Sequence, residues 1–110
     1  MANQESIKLG LEYIAGAIGQ ISATDAGIRA LIANGNVITT LIFMAKKINT
    51  SIQRQYIAGA IRNISISPAG KDALLANRDV NTTLTTMANQ RNTTRGLECI
   101  EFIKNKLNIT

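Results

Sequence analysis

Two stretches of this sequence are nearly the same. Tyr13-Ile14-Ala15-Gly16-Ala17-Ile18 returns as Tyr56-Ile57-Ala58-Gly59-Ala60-Ile61. The match continues in step: Ile21-Ser22 with Ile64-Ser65, Ala26-Gly27 with Ala69-Gly70, Ala33-Asn34 with Ala76-Asn77, Thr39-Thr40-Leu41 with Thr82-Thr83-Leu84, and Met44-Ala45 with Met87-Ala88. The offset is 43 residues throughout, and about 20 of the 35 positions from Tyr13 to Lys47 are identical one period on. A fixed period of roughly 40–47 residues is a cue for stacked helical repeats, in which no unit buries its apolar face alone and neighbours complete the core. The alternative, a plain helical bundle with a duplicated sequence, is disfavoured by the same period.

Hydrophobic spacing divides each period into three helices. In the second unit, apolar residues at 52, 56, 57, 60, 61 and 64 follow the i, i+3/i+4 rule from Ile52 to Ile64. Ser65-Ile66-Ser67-Pro68 ends that helix. Ser67 fits as the next N-cap, with Pro68 at the first helical position, where its missing N–H costs nothing. A short helix is expected from Pro68 to Ala76 with Ala69, Ala73, Leu74 and Leu75 inward. After a break at Asn77-Arg78, Asp79 caps a helix whose stripe is Val80, Thr83, Leu84, Met87 and Ala88. The first unit repeats the plan: a long helix from Glu5 to Ile21, a short one capped by Thr24 to Ala33, a turn at Asn34-Gly35-Asn36 with Gly35 left-handed, and a helix capped by Asn36 to Lys47. One long helix remains, Thr93 to Leu107, with the stripe Leu97, Ile100, Ile103 and Leu107. The expectation is an all-α chain of about seven helices in a single domain, with units of about 5–47 and 48–90 and a partial unit 91–110.

What the chain lacks narrows its chemistry. It has no histidine and a single cysteine, Cys99, which excludes Cys–His catalysis, Cys/His zinc sites and an intrachain disulfide. The glycines of Ala15-Gly16-Ala17-Ile18-Gly19 lie inside a helix and follow no strand, so they are no phosphate loop. Cys99 is read as packed rather than reactive. No catalytic residue, cofactor or metal is expected, and the chain is not read as an enzyme. The net charge is +5, but the basic residues are scattered and form no run, so a solvated mixed surface is preferred and nucleic acid ranks last among partners. No signal peptide or membrane span is read, which makes the cytoplasm or nucleus the expected compartment. Asn-x-Ser/Thr triplets at Asn49, Asn63, Asn81, Asn92 and Asn108 are read as products of an Asn- and Thr-rich composition.

Ile57-Ala58-Gly59-Ala60-Ile61-Arg62-Asn63-Ile64-Ser65 resembles the Ala-rich start of the third helix of armadillo repeats, with the family's Asn near its end. Pro68-Ala69-Gly70-Lys71-Asp72-Ala73-Leu74-Leu75-Ala76-Asn77-Arg78-Asp79-Val80 is similar to that family's first helix running into its second. HEAT repeats are close relatives of the pattern. The resemblance covers essentially the whole chain and implies a right-handed α-solenoid, an armadillo-like superhelix. In that family the third helices line a concave groove for extended peptides, held by Asn side chains on the peptide backbone and by Trp four residues earlier. The Asn position falls on Gln20, Asn63 and Lys106, and the Trp position on Gly16, Gly59 and Phe102. Only Asn63 matches the family's Asn, and Phe102 is the one aromatic at the Trp position. Trp rungs clamping lysine stems, the basis of nuclear-localisation-signal binding, are therefore not expected.

One helical turn before the Trp positions stand Glu12, Gln55 and Glu98, with Glu101 nearby and Arg62, Lys104 and Lys106 on or near the same surface. The implied role is a non-catalytic scaffold binding a protein or peptide along the third-helix face. Its contacts are drawn from Gln20, Gln55, Gly59, Arg62, Asn63, Glu98, Phe102 and Lys106. Asn63 would hydrogen-bond a peptide backbone, Phe102 would pack on a side chain, and Arg62 would pair with a carboxylate. Gly16 and Gly59 each cost their helix about 1 kcal/mol against alanine. Close helix packing and a smooth groove floor both account for them. The alternative role is a structural unit that assembles with other copies of itself or with further repeats. Ile7, Leu9 and Leu11 on the first helix, and Cys99, Phe102 and Ile109 on the last, suggest apolar open ends and a homo-oligomer.

Overall fold

The computed structural model describes residues 4–33 and 36–109, and within its first helix no side chain of residues 4–9 or of Leu11. These residues form seven helices and no strand: α1 (Gln4–Ile21), α2 (Asp25–Ala33), α3 (Val37–Lys47), α4 (Ser51–Ile66), α5 (Pro68–Ala76), α6 (Val80–Ala88) and α7 (Thr94–Lys106). All seven helices expected from the hydrophobic spacing are present. Gly35, and the side chains of Ile7, Leu9 and Leu11, fall outside the described residues.

Threonine hydroxyls fix where three of the helices start. Thr24 Oγ1 accepts the Gly27 N–H at 3.0 Å, Thr50 Oγ1 the Gln53 N–H at 3.1 Å, and Thr93 Oγ1 the Gly96 N–H at 2.9 Å. Thr50 and Thr93 are one period apart, so the cap of the long helix is itself repeated. The other expected caps occupy their positions without capping. Asn36, Ser67 and Asp79 make no side-chain bond to their own helices. Ser67 Oγ instead donates to Asp25 Oδ1 at 3.5 Å, and Asp79 pairs with Lys46 at 3.4 Å, so both tie one unit to the other.

Packing follows the period. Equivalent helices of successive units touch: α1 with α4, α4 with α7, α2 with α5, and α3 with α6. The long helices therefore run side by side in the order α1, α4, α7. The core between them and the shorter helices is aliphatic, with Leu41, Ile57, Ile61, Ile64, Leu74, Leu84, Ile100 and Ile103 fully buried. Burial of each such side chain contributes about 1.5–3 kcal/mol. Several residues expected inward are exposed: Ile52, Tyr56, Leu75 and Leu97 are large and apolar, and Ala69 joins them. The nine-residue α5 packs on α4 and α2, and Leu74 is its one fully buried large side chain, with Ala73 partly buried beside it.

Gly27 and Gly70, one period apart, hold the junctions between long and short helices. A Cβ on Gly27 would collide with the Ile21 carbonyl oxygen and stand 2.8 Å from its carbon; a Cβ on Gly70 would meet the Ile64 carbonyl in the same way. The chain turns so sharply there that only hydrogen fits.

The last helix is anchored by a buried arginine. Arg54 occupies the position of Leu11 and Leu97 one period either side, and is 4% exposed. Its guanidinium donates to the Arg91 carbonyl through Nε, at 2.7 Å, and through Nη2. Burial pushes its pKa below the ordinary value for arginine, which starts so high that the group stays charged. The bond holds the segment that leads into α7.

The expected apolar end on α7 is not there. Cys99 is 5% exposed, Ile109 packs against the core, and Phe102 lies under the Arg62 guanidinium. Among the described residues no single helix is long and apolar enough to cross a membrane.

Candidate functional site: a groove across the long helices

Because α1, α4 and α7 are parallel repeats of one pattern, residues 43 apart stand on the same side of adjacent helices. The side left uncovered forms a shallow groove of about 450 Å³. Its floor is made by Gly16, Gly19 and Gly59, and its walls by Gln20, Gln55, Arg62 and Asn63. Arg95 and Cys99 of α7 complete the far side. A second depression of about 440 Å³ adjoins it on the α1 side, lined by Glu12, Tyr13, Gly16, Ala17, Gln20 and Tyr56.

The glycines decide between the two readings of Gly16 and Gly59. A Cβ added at Gly16, Gly19 or Gly59 meets nothing within 4 Å. Close helix packing is therefore not their reason; they leave backbone facing open space.

The polar walls are partly committed to the protein itself. Asn63, expected to reach a peptide backbone, donates its Nδ2–H to the Gly19 carbonyl of α1 at 3.0 Å. Ser22 Oγ donates to the same oxygen at 3.0 Å. The Gly19 carbonyl lies in the last turn of α1, where backbone acceptors lack helical partners, so Asn63 closes a neighbour's helix end. Its Oδ1 keeps its acceptor capacity. Gln55 Oε1 accepts the Thr93 hydroxyl at 2.8 Å, and Thr93 in turn caps α7. Arg62 lies over the Phe102 ring with its guanidinium carbon 4.5 Å from the centroid, a cation–π pair in which both residues are half-buried.

The structure thus brings together Gln20, Gln55, Gly59, Arg62 and Asn63 around one groove. Phe102 stands on α7 at the position held by Gly16 and Gly59 on the other long helices, and is covered by Arg62 rather than open to the groove. Glu98 and Lys106 are exposed on α7 and do not line it. Sequence reasoning missed Gly19, which has Arg62 as its counterpart one period later, and Arg95, which has Ile52, so neither carries a repeated signal. The charged residues around the main groove are Arg62 and Arg95, while Glu12 belongs to the adjoining depression. Its field therefore favours anionic groups.

Among the described residues no group of three or more His, Cys, Asp or Glu side chains is placed to hold a metal ion. No protein-family model matches the chain, and no curated protein or solved structure matches it.

Proposed function

We propose that the chain is a short armadillo-like, right-handed α-solenoid acting as a non-catalytic interaction module, with the groove across α1, α4 and α7 as a binding surface for an extended peptide carrying acidic side chains. The observation that supports it most is the open floor of Gly16, Gly19 and Gly59 between amide and arginine walls. Backbone without side chains lets a ligand approach closely. The unpaired capacity of Gln20 and Asn63 suits peptide N–H and C=O groups, and Arg62 and Arg95 suit carboxylates. The contacts between equivalent helices of successive units support the stacked arrangement.

A phage-displayed library of linear peptides, selected on the full chain, tests this reading. Enriched sequences should contain Asp or Glu. Their binding should fall by roughly tenfold or more with Arg62→Ala or Arg95→Ala, since tenfold corresponds to about 1.4 kcal/mol. Gly59→Leu, which fills the floor, should abolish it. Peptides that bind Gly59→Leu undiminished would reject the groove. A second reading, a unit that assembles with copies of itself, is favoured by the apolar outer side of α1.

A further inference from the structure

One row of equivalent positions crosses the three long helices and changes character on the way. Tyr13, Tyr56 and Cys99 stand one period apart on α1, α4 and α7. Tyr13 is 77% and Tyr56 44% exposed, so both rings keep an open face, whereas Cys99 is buried. Tyr56 lines the main groove and the adjoining depression alike, and Tyr13 lines the depression. Between the two rings lie Gly16, Ala17 and Gln20. An aromatic shelf therefore continues the groove on its α1 side.

At the third position the ring is gone and charge stands around it. Arg95 lies four residues before Cys99, and Arg62 lies six residues beyond Tyr56 on the neighbouring helix. Along the helix axis the two arginines thus flank the level of Cys99 from opposite sides, and all three residues line the groove. The Phe102 ring holds Arg62 in place. A thiol is far smaller than a phenol ring and leaves the groove between the arginines open. The surface so has two seats at one level, an aromatic seat over α1 and α4 and a cationic seat over α4 and α7, one helix spacing apart.

We infer that the groove takes a polyproline II segment in which a proline sits on the Tyr13–Tyr56 shelf and an acidic residue three positions away sits between Arg62 and Arg95. This rests on the peptide-groove reading and adds its register and its second anchor. Packed parallel helices lie about 8–10 Å apart. A polyproline II chain repeats every three residues, about 9.3 Å, so residues i and i+3 present their side chains to successive helices. An extended strand presents every second side chain to one face, about 6.8 Å apart, and falls out of step. A surface built of helices also offers no sheet edge, and a polyproline II backbone requires none, since its N–H and C=O groups are solvated rather than paired in a ladder. Gln20 and the free Oδ1 of Asn63 serve those groups here. Proline suits the shelf because its ring packs on an open aromatic face and its fixed φ lowers the entropy lost on binding.

Titration of the isotope-labelled full chain with synthetic peptides, followed by amide chemical shifts, tests it. The probes carry Pro-Ala-Ala-Glu, or the reverse order Glu-Ala-Ala-Pro, between identical Gly-Ser flanks. One of the two orders should move the amides of Gly16, Gly59 and Asn63, and removing or adding one alanine should weaken its binding roughly tenfold. Replacing the proline by glycine should weaken it by a similar factor. Tyr56→Ala, with unchanged helical circular dichroism, should weaken the proline peptide as much and leave the glycine peptide unaffected. Equal binding at all three spacings, or proline-peptide binding indifferent to Tyr56→Ala, overturns the inference, while the acidic-peptide reading stands if Arg62→Ala and Arg95→Ala still weaken it. A leucine peptide that binds as tightly as the proline peptide overturns the choice of proline. Groove amides unmoved by both orders overturn the inference, and the acidic-peptide reading falls with it only if the phage selection also yields no acidic sequences.

Discussion

The helix junctions and the groove floor are built from the same residue for opposite reasons. At the junctions, Gly27 and Gly70 are glycine because the preceding helix's last carbonyls occupy the place of a side chain. On the floor, Gly16 and Gly59 are glycine with empty space above them. Both pairs recur at the same offset and inside or beside helices. Repetition therefore marks two different pressures, one from packing and one that packing does not explain. Surface glycines that cost helix stability without filling a steric need are where a binding role has the strongest claim.

The comparison can be broken by substitution. Gly70→Ala should be the most damaging change, because its Cβ must displace backbone rather than a movable side chain. A loss of about 3 kcal/mol or more is expected, with a fall in Tm on the order of 10 °C or more in thermal unfolding by circular dichroism. If Gly70→Ala were as mild as Gly59→Ala, the distinction between the two regions would fail. Thr93→Ala should cost about 1–2 kcal/mol in urea unfolding, since the hydroxyl both caps α7 and donates to Gln55 on α4. Asn63→Ala should cost about 1 kcal/mol by the same measurement, because this groove residue also ties α4 to the end of α1. It sharpens the comparison: Asn63 belongs to the wall and to the packing at once. Gly59→Ala should be the smallest effect and of opposite sign, a gain of about 0.5–1 kcal/mol in stability.

The all-helical fold was readable from the period, because the repeated stripe of Ile57, Ala60, Ile61 and Ile64 can serve only one helical face. The short helices were less readable. In α5 the residues Leu74 and Leu75 are adjacent and equally apolar, and only the placement of α2 and α4 decides that Leu74 is buried and Leu75 is not. The groove was readable in α4, where Gln55, Gly59, Arg62 and Asn63 follow one face. On α7 the same offset led to Glu98, Phe102 and Lys106, yet Arg95 lines the groove and Phe102 is covered by Arg62. Identity between the units showed which positions are helical. The departures from identity, such as Ile61 to Lys104 and Ala58 to Glu101, held the information about the ends, and an argument from matches passes over them.

One arrangement of the helices bears on how the molecule opens. α4 is touched by α1, α3, α5 and α7, whereas α1 rests mainly on α2 and α4. Detaching α1 breaks one face of the stack and leaves the remainder assembled. Freeing α4 requires its interfaces with all four of these helices to part, including the two most extensive in the molecule, with α7 and α1. The amide protons of Ile57 to Ile64 should therefore exchange with solvent only when the whole chain unfolds, while those along α1 exchange through a cheaper, partial opening. In that respect the central helix sets the lifetime of the folded chain, and the first helix sets how often its flank is bare.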